Sequence, residues 1–587
     1  MESPLAKTNE VKLVTLAKRN YSPDLYEAEL RILHDSVRSG PAKPQPSDQP
    51  EARHVRSDFL RWLLNDTLAT PLIDKDGFQV VAATIDGDVD LDNSHISCSL
   101  NCRKCIFKGS VHFVLAETRS IYITDSALHG DMSFQGATIR GDLFLEGFQS
   151  DGSITMYGAR IHGDLSMVGA KLLAKDKALF INNAEISGAA YFQDLSCAGP
   201  LTILETKIGH EFFAKGATLA SRVTMTGSSI EGDLTLRHVQ SSEAVDLRHT
   251  TIAGSIWLDG AHLEGKQTSL SLSDATIAGD LYLMPDFHAS GSVNLWRTVI
   301  KQSLWVNEAE LAELDCTDAQ IGGALLWAGI LHPENTNLKL VRASVRELRD
   351  VKKSWPSKGK LSVGGFVYKQ LSLEVPPEAA ELAGKTQWKS KGGMSPDDRI
   401  GWLRLQSDQE VMASQPWMQL AQYIQTSGNA DGARNVLDAM RAAQMRSKLV
   451  FYYQTFVEYP EYIVVPICLF WIFSSAIFWR ARRMKAMAPT DKDAYEYFAA
   501  NDKPPSYYVP FSPIVYALEN VLPIANFGQD DAWAPNPQSH VAAHSGWRRW
   551  LPRMSYGWLA TLRWVLVILG WVLAAILAGV IASFFKA

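Results

Sequence analysis

The sequence predicts a mainly β protein: a parallel β-helix solenoid with an N-terminal helical cap, a C-terminal helical hairpin and two transmembrane helices. Three observations carry this. Between Val89 and Val345 an apolar-x-apolar triplet recurs about every eleven residues, in two alternating series: Val89-Asp90-Leu91, Val111-His112-Phe113 and Met132-Ser133-Phe134 against Leu100-Asn101-Cys102, Ile121-Tyr122-Ile123 and Leu143-Phe144-Leu145. Within each triplet the outer residues point one way and the middle one the other, the period of a short strand, and self-similarity at this length signals stacked coils. An IxGD-type turn precedes many triplets (Ile85 to Asp88, Ile139 to Asp142, Ile161 to Asp164, Ile230 to Asp233, Ile277 to Asp280), with glycine expected to supply a tight corner. Two triplets make a coil, and roughly eleven coils at about 4.8 Å form a rod of roughly 50 Å.

In chain order, residues 1–80 form the helical cap. Leu25, Ala28, Ile32 and Leu33, then Val55, Phe59, Leu60 and Leu63, recur at helical spacing on either side of the proline-rich linker PAKPQPSDQPEAR. The second helix is expected to cover the first coil, whose apolar interior and open strand edges would otherwise meet water. Residues 81–345 are the β-helix, with Leu143, Ile154, Leu165, Leu234 and Ile256 inside. Residues 346–395, which lose the repeat and gain Lys352, Lys353, Lys358 and Lys360, are a connector. Residues 396–450 form a helical hairpin: Trp417, Leu420, Ala421 and Ile424 on one stripe, Ala433, Val436, Leu437 and Met440 on the other, parted by SGNADG.

Residues 451–587 are the expected membrane region. The uncharged runs 462–479 and 564–585 read as transmembrane helices. Between them, 510–533 reads as an amphipathic loop with the stripe Ile514, Val515, Leu518, Val521 and Leu522, lying in the interface. Arg480, Arg482, Arg483 and Lys485, with Arg548, Arg549, Arg553 and Arg563, favour a cytoplasmic loop between the spans, whereas the absence of a signal-peptide-like start favours a cytoplasmic β-helix with both termini inside. The second arrangement is the expectation.

Composition narrows the function classes. A net charge of −6 and a pI near 6.2 give no general attraction to nucleic acid. Six cysteines over 587 residues fit a reducing compartment. Cys98, Cys102 and Cys105 have the CxxxCxxC spacing that can hold a [4Fe–4S] cluster, but Cys102 also fills the inward slot of its triplet as a small apolar residue. The turn column Asp142, Asp164, Ala189, Glu211, Asp233, Ser255, Asp280, Ser303, Ala324 is read as turn chemistry, because Ala and Ser interrupt any metal ladder. His210, His249 and His262 lack paired spacing on one strand face and read as surface residues. No cofactor or metal site is expected.

The middle residues of the two series differ. The first runs Asp90, His112, Ser133, Thr155, Phe180, Thr202, Thr224, Asp246 and is made for water. The second carries Tyr122, Phe144, Tyr191, Phe213, Trp257, Tyr282 and Trp305, an outward aromatic stripe that the core does not need and that marks a partner-binding or covered face. Either an external protein or the chain's own 346–450 segment covers it.

RSDFLRWLL before the first coil, the IxGDLxL turns, KKSWPSKGKL, WLRLQ, QPWMQLAQYI with GARNVL, and ALENVLPIANFGQDDAW together resemble a bacterial family of pentapeptide-repeat-like, membrane-anchored β-helix proteins often labelled "membrane-associated oxidoreductase". The resemblance implies an inner-membrane location and, by its label, a redox activity; no GxGxxG after a strand and no CxxCH accompanies it. Gln415, Pro416, Gln419 and Leu420, and Leu522, Pro523, Gly528, Gln529 and Trp533, are shared positions with no role implied. The expected function is a membrane-tethered scaffold or adaptor that binds protein partners through the stripe; the alternatives are an effector that alters membrane permeability and the oxidoreductase of the label. A convergent polar pocket, which an enzyme needs, is not legible.

Overall fold

Each turn of the chain between Phe78 and Ser372 carries short strands on two parallel sheets, as in Ala127–Leu128 and Met132–Ser133 on sheet A followed by Thr138–Ile139 and Leu143–Phe144 on sheet B. The structure is a computed structural model; it describes residues 4–21, 25–38, 53–74, 78–372, 394–458, 461–522, 526–538 and 555–584, with the side chains of 4–5, 446–466 and 573–584 left aside. It divides into two compact units, Met1–Gln444 and Met445–Ala587.

Unit one is a parallel β-solenoid of about 13 turns with helices at its ends. Sheet A has 23 strands and sheet B 24, and the register aligns each triplet with the one a coil later: Leu143 beside Leu165, Leu234 beside Ile256. Leu143, Ile154, Leu165, Leu234 and Ile256 are all fully buried, as the period-two pattern requires. The coil has more strands than the triplets reveal, because the residue pairs before each IxGD turn, such as Arg160–Ile161, also pair in register. A two-residue strand is too short to show alternation.

Among the turn glycines only Gly87 (φ +89°) takes the left-handed backbone expected of a corner; the others do not. Gly163 has ordinary backbone, but a Cβ there would lie 2.7 Å from the backbone carbon of Gly141 in the preceding coil. It permits close approach of coils rather than a left-handed corner. The left-handed corner falls two residues after each triplet, at Gly158 (φ +63°) and at Asn93, Asp125 and Asp274 in other coils.

The N-terminal cap contains helices α1 (Pro4–Asn20), α2 (Glu27–Asp35) and α3 (Ser57–Asn65). Only α2 and α3 are legible as periodic stripes; among the described side chains of α1 just Leu13 and Ala17 are buried. Val55 belongs not to α3 but to a strand, His54–Arg56, that adds one rung to sheet A beside Thr84–Asp86. The buried carboxylate of Glu29 holds that rung, accepting from the Arg56 backbone N–H at 3.1 Å and from its guanidinium at 2.6 Å. Phe59, Leu60, Leu63 and Leu64 of α3 join the solenoid core, as expected of a cap. The proline-rich linker lies, but for its last residue, outside the described residues.

The solenoid continues past Val345. Ser344–Asp350, Leu361–Ser362 and Val367–Ser372 complete the last turn, and the lysines that suggested a connector sit at its corners. Helices α4 (Pro396–Leu403), α5 (Ser414–Thr426) and α6 (Ala430–Glu458) follow. Trp417, Leu420 and Ile424 of α5 and Ala433 and Val436 of α6 share one core, the hairpin read from sequence. Arg399 of α4 forms a buried bidentate pair with Asp350 of the last coil (2.6 and 2.8 Å).

In unit two, helices α7 (Glu461–Arg483) and α11 (Tyr556–Phe584) stand where transmembrane spans were expected, but among the described residues no helix is long and apolar enough to cross a membrane. The two-span expectation is therefore corrected. A span needs about 20 predominantly apolar residues. The described part of α7 ends in Arg480, Arg482 and Arg483 and turns Phe478 and Ala481 into a protein core with Phe511, Tyr516 and Trp533. Leu559 and Leu566 of α11 enter the same core, and Arg563 between them pairs with Asp530 at 2.7 Å. The side chains of 462–466 and 573–585 in the expected spans lie outside the described residues.

Helix α8 (Lys492–Asn501) lies upstream of the expected amphipathic loop, which contains α9 (Pro513–Val521) and α10 (Gln529–Ala532). The face of α9 that packs is Tyr516, Ala517, Asn520 and Val521, one position round from the predicted stripe, and Ile514 is exposed. The buried carboxylate of Glu519 decides this, gathering the backbone N–H groups of Phe527, Gln529 and Asp530. Gln529 bridges the Pro510 carbonyl and the Ser512 N–H, and Trp533 donates to the Val509 carbonyl at 2.8 Å. Gln529 and Trp533 thus fix the fold of the loop; Pro523 lies outside the described residues.

Candidate docking face

Strand register brings every aromatic of the predicted stripe into one column on sheet B. Tyr122 lies beside Phe144, Tyr191 beside Phe213, Trp257 beside Tyr282 and Tyr282 beside Trp305. Ser166 and Thr235 interrupt the column and divide it into three groups. Tyr191 and Phe213 stack at 5.6 Å, Trp257 and Tyr282 at 4.0 Å, and Tyr282 and Trp305 at 6.1 Å, while Tyr122 and Phe144 meet edge to face. The stacked rings, from Tyr191 to Trp305, therefore cover one another's faces within their groups.

The turn carboxylates anchor the column. Asp280 accepts from the Trp305 indole at 3.1 Å, from the Tyr282 hydroxyl at 3.2 Å and from the Ser303 backbone N–H at 2.8 Å. Asp233 accepts from the Trp257 indole and, through its other oxygen, from the Ser255 N–H; Asp142 takes the Tyr122 hydroxyl and the Asp164 N–H. Each aspartate caps the next coil and steers an aromatic. Burial, reinforced by Asp142, raises the Tyr122 phenol above its ordinary value, keeping it a donor. Among the described residues no group of three His, Cys, Asp or Glu side chains is placed to hold a metal ion.

Exposure varies along the stripe. Tyr122 through Tyr282 are half-buried, while Trp305 is only 9 % exposed. Trp305 and Leu326 pack with Met284, Ala328 and Val351, so the chain's own segment after Val345 covers that end. Trp327, pointing inward, donates to the Ser354 carbonyl at 2.7 Å and ties the covering segment down. Sequence reading missed Arg237, whose guanidinium lies 4.5 Å from the Trp257 ring centre and pairs with Asp259 at 2.8 Å. Its place two residues after Thr235, on the same strand face, was the available signal.

Cys98, Cys102 and Cys105 are all buried with free thiols in the first coils. Cys105 donates to the Val80 carbonyl at 3.4 Å, and burial pushes Cys98 up to about 11. The contact between Cys102 and Cys105 moves their pKa values apart, raising that of Cys102, with burial adding to it, and lowering that of Cys105.

No family model, curated protein or solved structure matches this chain.

Proposed function

We propose that this chain is a β-solenoid scaffold that binds a protein partner along the aromatic column of sheet B. The observation that supports it is the in-register row Tyr122, Phe144, Tyr191, Phe213, Trp257 and Tyr282, half-buried, in which turn aspartates hold Tyr122, Trp257 and Tyr282. Fixed aromatics lose little freedom on binding, so more of their contact energy reaches the complex. A sugar-binding platform is disfavoured, because a sugar needs a ring face and Trp257 and Tyr282 cover each other's. Trp305 belongs to the chain's internal packing and leaves the docking set.

The test is a photo-crosslinker at Lys215, exposed beside Phe213 on that face, compared with one at Thr202 on sheet A. A defined protein captured from Lys215 alone, and lost on Tyr191→Ser with Phe213→Ser at unchanged melting temperature, is the expected result. Equal capture from Thr202 would remove the reading.

A second reading, contact with a lipid surface, is supported by a different observation. Leu469, Ile472 and Phe473 on α7 and Trp564, Ile568 and Trp571 on α11 are exposed, in company with Trp479 and the arginines that follow it. Such side chains favour an apolar covering, and tryptophan favours the headgroup level. The reading is adsorption to the interface, at the bacterial inner membrane that the family resemblance implies. Flotation of the purified chain with phosphatidylglycerol vesicles is expected, and its loss in the Ile472→Ser, Phe473→Ser, Ile568→Ser variant; no flotation of the parent chain would refute it.

A further inference from the structure

Unit two holds a cavity of about 520 Å³. Its floor is the antiparallel pair Met487–Pro489 and Trp533–Pro535, and its sides are the first turn of α8 and the first turns of α11. The size suits a small molecule. Two cations line it, Lys492 and Arg563, and no carboxylate does among the described residues. Arg563 is held by Asp530 through Nη2, and a guanidinium has further N–H groups to offer. Asp491, next to Lys492, is engaged by the Ala494 backbone N–H as the cap of α8. The remaining wall is mixed: Pro489, Pro535 and Trp564 are apolar, and Thr490, Tyr495 and Tyr556 carry hydroxyls.

Trp564, which lines the cavity, also begins an apolar stripe. Trp564, Ile568 and Trp571 recur at i, i+4 and i+7 on one face of α11 and are 68, 61 and 57 % exposed. Charge at one end and an apolar track leading from it match a ligand of the same build.

We propose that this cavity binds an anionic amphiphile, a phosphate ester whose headgroup meets Lys492 and Arg563 and whose chain lies along Trp564, Ile568 and Trp571. The lipid surface of the second reading is one source of such a ligand and a soluble phosphate ester is the other. The proposal rests on that reading for the source alone.

The full chain is titrated calorimetrically with decyl phosphate below its micelle concentration, with decyl maltoside as the neutral counterpart and inorganic phosphate as competitor. Saturable binding of decyl phosphate is expected, with no comparable binding of decyl maltoside. Lys492→Glu reverses a lining charge and Ala560→Phe fills the cavity from α11; each is expected to weaken binding by about tenfold or more. Circular dichroism melting checks that both variants fold. Competition by inorganic phosphate at similar strength shows that the alkyl chain adds nothing and overturns the amphiphile, whereas weak competition with vesicle flotation unchanged in Ala560→Phe supports a soluble phosphate ester. Weak competition, with vesicle flotation reduced in Ala560→Phe, supports a lipid. Absence of saturable binding, equal binding of decyl maltoside, or unchanged affinity in two folded variants overturns the proposal. Flotation failing while decyl phosphate still binds removes the lipid-surface reading and leaves the cavity standing.

Discussion

Gln419 on α5 donates from Nε2 to the backbone carbonyl of Tyr368 at 2.8 Å, closing the open edge of the last solenoid strand. Gln415, one turn earlier, takes the Gly365 N–H and gives to the Phe366 carbonyl, and Tyr423, one turn later, gives to the Leu371 carbonyl. The geometry is a near match of two repeats. Four residues of helix advance about 6.0 Å and two of strand about 6.7 Å, so Gln415 and Gln419 reach alternate carbonyls, while the longer Tyr423 reaches the third carbonyl beyond. The helix supplies the hydrogen bonds that another coil would have made, and protects an edge that would otherwise template association.

Gln419→Leu is therefore expected to leave the Tyr368 carbonyl unpaired at the packed edge and to cost about 1–3 kcal/mol. Combined with Gln415→Leu it is expected to shift the protein towards concentration-dependent association. Denaturant unfolding and light scattering measure the two effects, and unchanged values in both would reject the capping role.

The Asp350–Arg399 pair, with side chains 2 % and 5 % exposed, joins the last coil to α4. Removing one partner leaves the other charge buried, so Asp350→Leu or Arg399→Met alone is expected to destabilise by about 3–5 kcal/mol. The double variant Asp350→Leu, Arg399→Met is expected to recover much of that loss. Additive single losses in a double-mutant cycle would show that the pair is not coupled.

Two glycines of one coil are expected to answer differently to substitution. At Gly163 a methyl group meets the preceding coil's backbone, so Gly163→Ala is expected to cost on the order of 1–3 kcal/mol from overpacking. At Gly158 the space is open and only the positive φ matters, so Gly158→Asn, which tolerates that region, is expected to cost about 1 kcal/mol or less. Thermal melts of the two variants rank them; the reverse order would contradict the corner assignment.

Lys352 donates to Asp398 at the start of α4 and, with Ser395, holds that carboxyl down at about 2. The folded value is below the unfolded one near 3.8, so the contact contributes above pH 3.8 and is lost as the pH falls from there to about 2. An NMR titration following α4 is expected to show its first turn loosening in that window. Asp398→Asn is expected to flatten the response, and a midpoint near 3.8 in the parent chain would show that Lys352 has no hold on the group.

Much of the solenoid was legible because its rule is local. Triplets such as Leu143-Phe144-Leu145 state in three residues which side faces the core, and repetition every 22 residues states the register, so the aromatic column could be drawn before any coordinates. The two-residue strands and the close approach at Gly163 were not legible, because a neighbour one coil away sets them. Exposure of the column was only partly so: nothing in Trp305 itself announces that Val351 will cover it.

The sequence by itself determined the solenoid, the outward aromatic column and the helical hairpin, since these follow from periods of two and of 3.6 that each residue carries with it. The tertiary structure alone decided what the apolar runs of unit two do. Hydropathy reports that Phe478, Ala481, Leu559 and Leu566 avoid water, and only packing reports that Tyr516, Phe511 and Trp533 are the partners that keep it away. It decided likewise that Lys492 and Arg563, 71 residues apart in the chain, line one cavity. A preference for burial is a property of a side chain, while its partner is a property of the fold.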